Sequence, residues 1–265
     1  MKITLKGASN TRDLGGIVTP LGTVQCGRLI RSGHLNKITQ DDCKILLQNG
    51  LKRVIDLRTA TEQTNVPDVK IDGVDYITIP IMSATTFGIT YEKSTGAEIG
   101  QMLQAGIKRM LTRGEDPKRH LEILYRKFVK EQISLDGYGM FLKTLANNPV
   151  EGATLWHCSA GKDRVGTCTA LLLHCLGASK QQIVDDYLLT NQQNKPFIDM
   201  VMNKIANTLD NYQIELICGM LSVKESYLHA FWEEIAIRYG DVDNFIAACG
   251  VTKSDIEKLR QNYLK

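Results

Sequence analysis

The fold of this chain is constrained most by one ten-residue stretch, which runs His157-Cys158-Ser159-Ala160-Gly161-Lys162-Asp163-Arg164-Val165-Gly166. A short apolar run, Ala153 to Trp156, leads into it, and a longer apolar run, Cys168 to Leu176, leads out and ends before Gly177. The first run predicts a buried strand, and the second predicts a buried helix with a glycine at its C-cap. The stretch is therefore a predicted strand-to-helix turn, whose backbone N–H groups converge on one spot and attract an anion.

Two side chains add chemistry to this turn. Cys158 begins it, and a thiolate there would interact with the helix dipole and the N–H groups, so we expect a lowered pKa. Arg164, six positions later, offers a rigid fork of donors that binds two phosphate oxygens at once. A nucleophilic sulfur facing an anion held in this way predicts covalent phosphoryl transfer. The alternative is a buried structural cysteine with Arg164 in a surface ion pair.

The turn resembles the signature of the bacterial branch of the cysteine-dependent tyrosine phosphatases, which groups tyrosine, dual-specificity and phosphoinositide phosphatases. Other segments resemble further motifs of that family in the same order, namely Asn10-Thr11-Arg12-Asp13-Leu14-Gly15-Gly16, Leu29-Ile30-Arg31-Ser32-Gly33, Val54-Ile55-Asp56-Leu57-Arg58 and Asp186-Tyr187-Leu188-Leu189-Thr190-Asn191. The resemblance implies an enzyme that hydrolyses phosphotyrosine through a phosphocysteine intermediate, with phosphoserine and phosphothreonine as further candidate substrates. A phosphoinositide phosphatase that uses the same loop is the alternative.

The resemblance also implies a role for each residue of the turn. Cys158 attacks phosphorus, and the phosphate oxygens are bound by the loop residues Ser159, Ala160, Gly161, Lys162, Asp163 and Arg164. Asp163 is the preferred general acid, and Asp136, in a loop-like stretch, is the alternative. Lys162 adds positive charge beside the phosphate, unless it is a solvated surface lysine.

One residue departs from the family pattern. Related loops follow the arginine with serine or threonine, whose hydroxyl helps the thiolate to leave the phosphocysteine. Val165 occupies that place here. We therefore expect slow hydrolysis of the covalent intermediate, unless the hydroxyl of Thr167 substitutes.

Four charged residues, Arg12, Asp13, Asp56 and Arg58, lie at the edges of strand-like segments. Sites in open α/β sheets gather beyond the carboxyl ends of the strands. Arg12, Asp13 and Arg58 are thus candidates for the wall around the phosphate loop. The alternative is a set of structural ion pairs.

The order of elements predicts one domain over residues 1–265, an α/β fold with a central, mostly parallel sheet flanked by helices, similar to the tyrosine phosphatases. Residues 83–97 are a predicted polar connection, and residues 98–131 a helical insertion before a helical C-terminal layer. Positive charge in the insertion, at Lys108, Arg109 and Arg113, suggests a basic lid over the site. A solvated helical face is the alternative.

Composition excludes several classes of protein. A net charge of +3 gives no argument for nucleic-acid binding, and no apolar run is long enough for stable membrane insertion. The seven cysteines are scattered without a Cys-x-x-Cys pair, so no disulfide framework or metal site is expected. Reduced thiols and an N-terminus unlike a signal peptide favour the cytoplasm, although a processed secreted precursor stays open.

The expected partner is a phosphorylated protein or a phosphoinositide, and the sequence sets no oligomeric state. No cofactor is expected, because the loop supplies the positive charge. Cys26 or Cys43 could protect an oxidised Cys158 by forming a disulfide. A rhodanese-type sulfurtransferase and a non-enzymatic phosphate-binding module are the remaining alternatives.

Overall fold

A computed structural model describes residues 1–84, 95–205, 207 and 209–265. Its main sheet has five strands in the order β1-β4-β7-β5-β6. The strands of the described residues are β1 Arg12–Asp13, β2 Val18–Thr19, β3 Gly22–Thr23, β4 Leu29–Ser32, β5 Leu51–Asp56, β6 Asp75–Thr78 and β7 Ala153–His157. The four strands β4, β7, β5 and β6 are parallel, and β1 is an antiparallel edge. The predicted α/β fold with a mostly parallel sheet is therefore confirmed.

Helices surround this sheet. Those of the described residues are α1 Gln40–Gln48, α2 Ala60–Asn65, α3 Gly96–Thr112, α4 His120–Lys130, α5 Gln132–Asn147, α6 Asp163–Cys175, α7 Lys180–Gln193, α8 Lys195–Ile205, α9 Asn211–Leu221, α10 Glu225–Tyr239, α11 Val242–Ala248 and α12 Lys253–Tyr263. A 3₁₀ turn, Pro117–Arg119, precedes α4. The helical C-terminal half follows the prediction.

Alternation along the strands distributes apolar side chains to the two faces of the sheet. In β7, Leu155 packs into a cluster beneath α1, whereas Trp156 packs into a larger cluster with α4, α5, α6 and α10. Successive side chains of a strand point to opposite faces, so one fully buried strand contributes to both cores. β7 is thus anchored from both sides, which fixes the position of the loop that follows it.

Local sequence patterns predict a hairpin around Pro20 to Gly22 and helix starts at Thr39, Ser179 and Thr252, and the structure confirms them. β2 and β3 form the hairpin across Pro20 to Gly22, and capping boxes begin α1 at Thr39, α7 at Ser179 and α12 at Thr252. Ser222 and Glu225 have the spacing that predicts a further capping box, and that prediction is wrong. Ser222 is the C-cap of α9, and Lys224 precedes α10 without a side-chain cap.

The segment predicted as a polar connection, residues 83–97, lies largely outside the described residues. Gly96 already belongs to α3. α3 packs against α8 and α9 in a separate apolar cluster, whereas α4 packs against α10 in the main core. Within the described residues, no helix combines the length and the apolar character that crossing a bilayer requires.

Candidate active site

The loop after β7 begins at the carboxyl edge of the parallel strands. The last residue of β7, His157, pairs with Ser32 of β4 and with Asp56 of β5, so all three strands end at one level. Cys158 follows at once, and α6 begins at Asp163. The predicted strand, turn and helix are therefore confirmed.

Gly161 allows the loop to turn tightly against β4. Its φ of 64° lies in the left-handed region, and an added Cβ would come within 2.6 Å of the Ser32 carbonyl oxygen. The Gly161 carbonyl accepts hydrogen bonds from Asn10 Nδ2 at 2.6 Å and Arg31 Nη2 at 3.0 Å. The N-terminal segment thus fixes the middle of the loop.

Arg12 supports this arrangement from behind. Its Nε and Nη2 donate to the side chain and the carbonyl of Asp186, and its Nη1 donates to the Asn10 side chain. Asp186 also pairs with Arg31. Arg12 therefore orients residues that hold Gly161, which fits the structural alternative better than the site wall.

Glu62 binds the guanidinium fork of Arg164. Its two carboxylate oxygens accept Arg164 Nη1 at 2.7 Å and Nη2 at 2.8 Å, and Ser159 Oγ donates to the same carboxylate at 2.9 Å. Burial alone would raise the pKa of Glu62, but hydrogen bonds and charge from Arg164, with the Thr59 amide, lower it to about 2. Arg164 is completely buried, so the alternative of a surface ion pair is wrong.

The environment of Cys158 differs from the expected one. Burial raises the pKa of its thiol, and the Arg164 guanidinium and the Val165 amide oppose that effect without reversing it. The predicted lowering is wrong for this arrangement. The side chain is 1% exposed, and the opposing charge of Arg164 is balanced by Glu62.

Asp163 lies at the base of the loop and is also buried. Burial raises its pKa, and the Lys162 ammonium and the Tyr125 hydroxyl oppose this effect. Tyr125 donates to Asp163 Oδ1 at 3.0 Å, and Lys162 Nζ lies 3.4 Å from Oδ2. A raised pKa favours the protonated carboxyl group, which is the form that can donate a proton.

The competing acid, Asp136, has a different environment. It lies within α5 rather than in a loop, it is exposed, and it accepts a hydrogen bond from Gln132 one turn earlier. Its neighbours include Lys143 and Cys249, along a surface groove formed by α5. The loop-like placement was wrong, because a helix continues through Gly137 and Gly139.

Lys162 is not a solvated surface lysine. Its side chain is completely buried, and Nζ donates to the carbonyl of Met220 near the C-terminus of α9. Ala160 packs against the apolar cluster of α3, α8 and α9, and its carbonyl accepts from Asn194 at 3.1 Å. The phosphate loop is thus covered by this helical layer.

Thr167 does not take the place of the missing loop hydroxyl. Its Oγ1 is within hydrogen-bonding distance of the carbonyls of Asp163 and Arg164, and it accepts from Tyr138 at 2.9 Å. A threonine that bonds backward in its own helix is common. The single hydroxyl hydrogen is committed there, which leaves Val165 without a substitute.

The remaining wall candidates make structural contacts. Asp13 accepts the amides of Gly15 and Gly27 in the N-terminal turns. Arg58 is fully buried and pairs with Asp56 at 2.8 Å and with Asp68 at 3.0 Å. These contacts fit the alternative of structural ion pairs.

Asp56, Asp68 and His157 lie close enough to one another to bind a metal ion. Arg58, however, already pairs with both carboxylates, and His157 Nε2 lies 3.0 Å from Asp68. Although burial lowers the pKa of His157, Asp56 and Asp68 outweigh it and raise the pKa. The guanidinium thus occupies the place of a cation, and the cluster fits a support for the loop rather than a metal centre.

Sequence reasoning missed Glu62 and Tyr125. Glu62 also accepts the Thr59 amide at the start of α2, so its pattern is that of an ordinary capping box. Tyr125 recurs at helical spacing with apolar residues, a pattern that is typical of the buried face of any helix. Each residue already has an ordinary role in its own helix, so the sequence gives no sign that it contacts the loop.

Comparison with known proteins agrees with this geometry. Residues 3–265 match the model of the tyrosine phosphatase family. The chain belongs to that family and is a phosphatase that acts on phosphorylated substrates.

Three curated relatives show how far the similarity extends. A protein of Cupriavidus necator, whose name places it among the tyrosine-protein phosphatases, is 27% identical over 97% of this chain and 86% of its own. The triple specificity protein phosphatase PtpB of Mycobacterium tuberculosis is 26% identical over 97% and 96%. A tyrosine-protein phosphatase of Nostoc commune is 29% identical over 61% and 47%.

Proposed function

We propose that this phosphatase hydrolyses phosphotyrosine, with phosphoserine and phosphothreonine as further substrates, through a covalent intermediate on Cys158. The proposal is supported above all by the site at the end of three parallel strands, where the buried Cys158 interacts with the Arg164 guanidinium and with the Val165 and Gly161 amides. In it, Arg164 and the amides neutralise the equatorial phosphate oxygens. No organic cofactor takes part.

Burial raises the pKa of the Cys158 thiol, so in the first step the thiol gives its proton to water that enters the opened site. The thiolate then attacks phosphorus, so that an S–P bond forms while the P–O bond to the leaving group breaks. Asp163 gives its proton to the leaving oxygen. The raised pKa of Asp163, caused by burial, supports this role over Asp136. In the second step, water attacks phosphorus, the S–P bond breaks, and the Asp163 carboxylate accepts a proton from the water.

The breadth of substrates is supported by the relatives rather than by the loop itself. PtpB carries a name that states triple specificity, and it aligns with almost the whole chain. The alternative, a phosphoinositide phosphatase, is favoured by Lys162. Its ammonium lies within the phosphate loop and, if released from the Met220 carbonyl, would bind a second anionic group.

We also propose that the helical layer over the loop is a lid and that residues 98–131 contribute to it through α3. Cys158, Lys162 and Arg164 are each at most 1% exposed, so a phosphoester reaches them only if that layer moves. Movement of α9 would also release Lys162. α4, the other helix of the predicted insertion, belongs to the core.

The whole chain is proposed to act as a single phosphatase domain in the cytoplasm. All seven cysteines are free thiols, which is usual in a reducing compartment. The predicted disulfide protection of Cys158 by Cys43 loses support, because Cys43 packs in the cluster on the opposite face of the sheet. Cys26 is exposed and stays a candidate.

A panel of phosphotyrosine, phosphoserine and phosphothreonine peptides and phosphoinositides tests the proposal, with wild type, Cys158→Ser and the control Cys26→Ser. We expect the highest kcat/KM on phosphotyrosine, none with Cys158→Ser, and full activity with Cys26→Ser. Preference for phosphoinositides would replace the protein-phosphatase assignment with the alternative. Turnover by Cys158→Ser would refute the covalent mechanism.

A further inference from the structure

The general acid is held by a buried pair of tyrosines. Tyr125 of α4 donates its hydroxyl hydrogen to Asp163 Oδ1 at 3.0 Å, and the Tyr187 hydroxyl of α7 lies 2.6 Å from the Tyr125 hydroxyl. We infer that Tyr125, with Tyr187 behind it, is the positioning residue that selects which oxygen of Asp163 carries the transferable proton. The inference rests on the proposed role of Asp163 as general acid.

The direction of the hydrogen bonds follows from counting hydrogens. Tyr125 has one hydroxyl hydrogen, and the Asp163 contact uses it. Tyr187 must therefore donate to Tyr125, which produces a chain of donors that ends at Oδ1. Successive bonds of this kind polarise one another and strengthen the last one.

The hydrogen bonds from Tyr187 through Tyr125 make the two carboxyl oxygens of Asp163 different from each other. Oδ1 already accepts a hydrogen, so the proton of neutral Asp163 belongs on Oδ2. Oδ2 faces Lys162, whose Nζ lies 3.4 Å away and stabilises the charge that appears when the proton leaves. A carboxyl group whose orientation is fixed before reaction delivers its proton without searching for the correct rotamer.

Packing holds the tyrosine ring in place independently of its hydroxyl. The Tyr125 ring makes edge contacts with Phe128 and Tyr187, with centroids 5.6 and 6.3 Å away, and a tilted contact with Tyr227 at 5.9 Å. The side chain is completely buried. Removing only the hydroxyl should therefore leave the ring where it is.

Several charged or titratable groups act on Asp163 besides Tyr125. They come from every element around it, namely Lys162 of the loop, Arg164 of α6, Cys158 after β7, Tyr187 of α7 and Tyr227 of α10. The Tyr125 bond favours the ionised carboxylate, so it lowers the pKa of Asp163 against the effect of burial. Loss of that bond would raise the pKa of Asp163, so the alkaline limb of the pH–rate profile would move to higher pH.

The test compares Tyr125→Phe, Tyr187→Phe and Tyr263→Phe. Tyr263 is the matched control, because it is equally buried and donates to the Leu145 carbonyl. The measured quantity is kcat/KM between pH 5 and 9, on phenyl phosphate and on the activated p-nitrophenyl phosphate. This constant reports only the steps up to formation of the phosphocysteine. Melting temperatures show whether each variant folds.

For Tyr125→Phe we expect a loss of about five- to tenfold on phenyl phosphate, from one hydrogen bond, and less than about twofold on p-nitrophenyl phosphate. Its alkaline limb moves to higher pH. Tyr187→Phe should lower kcat/KM on phenyl phosphate and move the alkaline limb in the same directions as Tyr125→Phe, but by less. Tyr263→Phe should change neither. Equal losses on both substrates, or an unmoved limb, would overturn the inference.

Two further variants distinguish positioning by Tyr125 from a purely structural role and from a wrong assignment of the general acid. Difluorotyrosine at position 125, a stronger donor with the same shape, should move the alkaline limb to lower pH, which a purely structural role does not explain. Asp163→Asn separates two failures. If it removes the limb while Tyr125→Phe leaves the limb in place, only the positioning inference is wrong. If Asp163→Asn keeps the limb, the acid assignment is wrong, and the inference is wrong with it.

Discussion

The carboxylate of Glu62 binds both terminal nitrogens of Arg164, at 2.7 and 2.8 Å, although 102 residues separate them in the chain. A bidentate pair of this kind fixes the plane of the guanidinium. Glu62 also accepts Ser159 Oγ. The guanidinium of Arg164, which we propose binds phosphate, is therefore held in a fixed orientation by Glu62, a residue of α2.

Glu62→Gln should weaken catalysis by loosening this fork. The amide accepts from only one nitrogen of Arg164, so we expect kcat/KM to fall by about 10- to 100-fold, the value of one or two charge-assisted hydrogen bonds. Glu98→Gln is the matched control, since Glu98 occupies the same capping-box position in α3 but is exposed. Steady-state kinetics on p-nitrophenyl phosphate measure both, and equal activities would show that Glu62 does not align Arg164.

The pKa values of Glu62 and Asp68 predict how stability depends on pH. Both are about 2 in the folded protein, from ordinary values of 4.5 and 3.8, mainly because Arg164 acts on Glu62 and His157 acts on Asp68. A lowered pKa gives stability that is complete above the ordinary value and is lost as pH falls toward 2. For Glu62 this amounts to about 3 kcal/mol.

Urea unfolding between pH 7 and 2 measures this loss. Wild type should lose stability steeply below about pH 4.5, and Glu62→Gln should show a shallower dependence because it has no carboxylate to protonate. Equal slopes for the two proteins would contradict the lowered pKa of Glu62.

Val165→Thr should accelerate the second chemical step. Val165 is completely buried in the first turn of α6, and the hydroxyl of Thr167, two positions later, is committed to the helix backbone and to Tyr138. Wild type is expected to release a burst of phenol before a slow steady state. A hydroxyl at position 165 should shrink the burst and raise kcat.

Val165→Ala is the control for that substitution, because it removes bulk without adding a hydroxyl. Rapid-quench kinetics give the size of the burst for each variant. A wild type without a burst, or an alanine variant as fast as the threonine variant, would contradict slow thiolate departure.

The basic surface of α3 can be tested by neutralising Lys108, Arg109 and Arg113 to Gln. All three are exposed, so folding should change little. If they help to bind anionic substrates, kcat/KM on multiply phosphorylated inositol lipids should fall several-fold more than on phosphotyrosine peptides. A control triple variant carries the same change at exposed lysines elsewhere, namely Lys44, Lys180 and Lys253. Equal losses on both substrates would leave these residues as a solvated helix face.

The sequence predicted what is local and missed what tertiary structure brings together. Cys158, Gly161 and Arg164 lie within one turn, and the apolar runs beside them require a strand and a helix, so spacing alone placed them. The partners of that turn, Glu62 and Tyr125, are 102 and 38 residues distant from their contacts. In the sequence, Glu62 fits a capping box and Tyr125 fits an apolar helix face, so neither pattern indicates a contact with a distant loop.

The incorrect predictions have the same origin. The lowered pKa expected for Cys158 followed from the helix and the amides, but that expectation left out the burial of the thiol in the main apolar core. Asp136 was placed in a loop because glycines surround it, yet α5 continues through them, packed in the core. The raised pKa of Cys158 and the helical position of Asp136 both result from packing between segments that are distant in the sequence, which a short stretch of residues cannot reveal.

Trapping a phosphoryl group on Cys158 would show whether the proposed covalent intermediate forms. Wild type is mixed with p-nitrophenyl phosphate, quenched in acid within milliseconds and digested, and the peptides are analysed by mass spectrometry. We expect an added phosphoryl group on the peptide that contains Cys158 in wild type, and none on the corresponding peptide of Cys158→Ser. Wild type that turns over substrate under saturating conditions without phosphoryl on Cys158 at any quench time would contradict it.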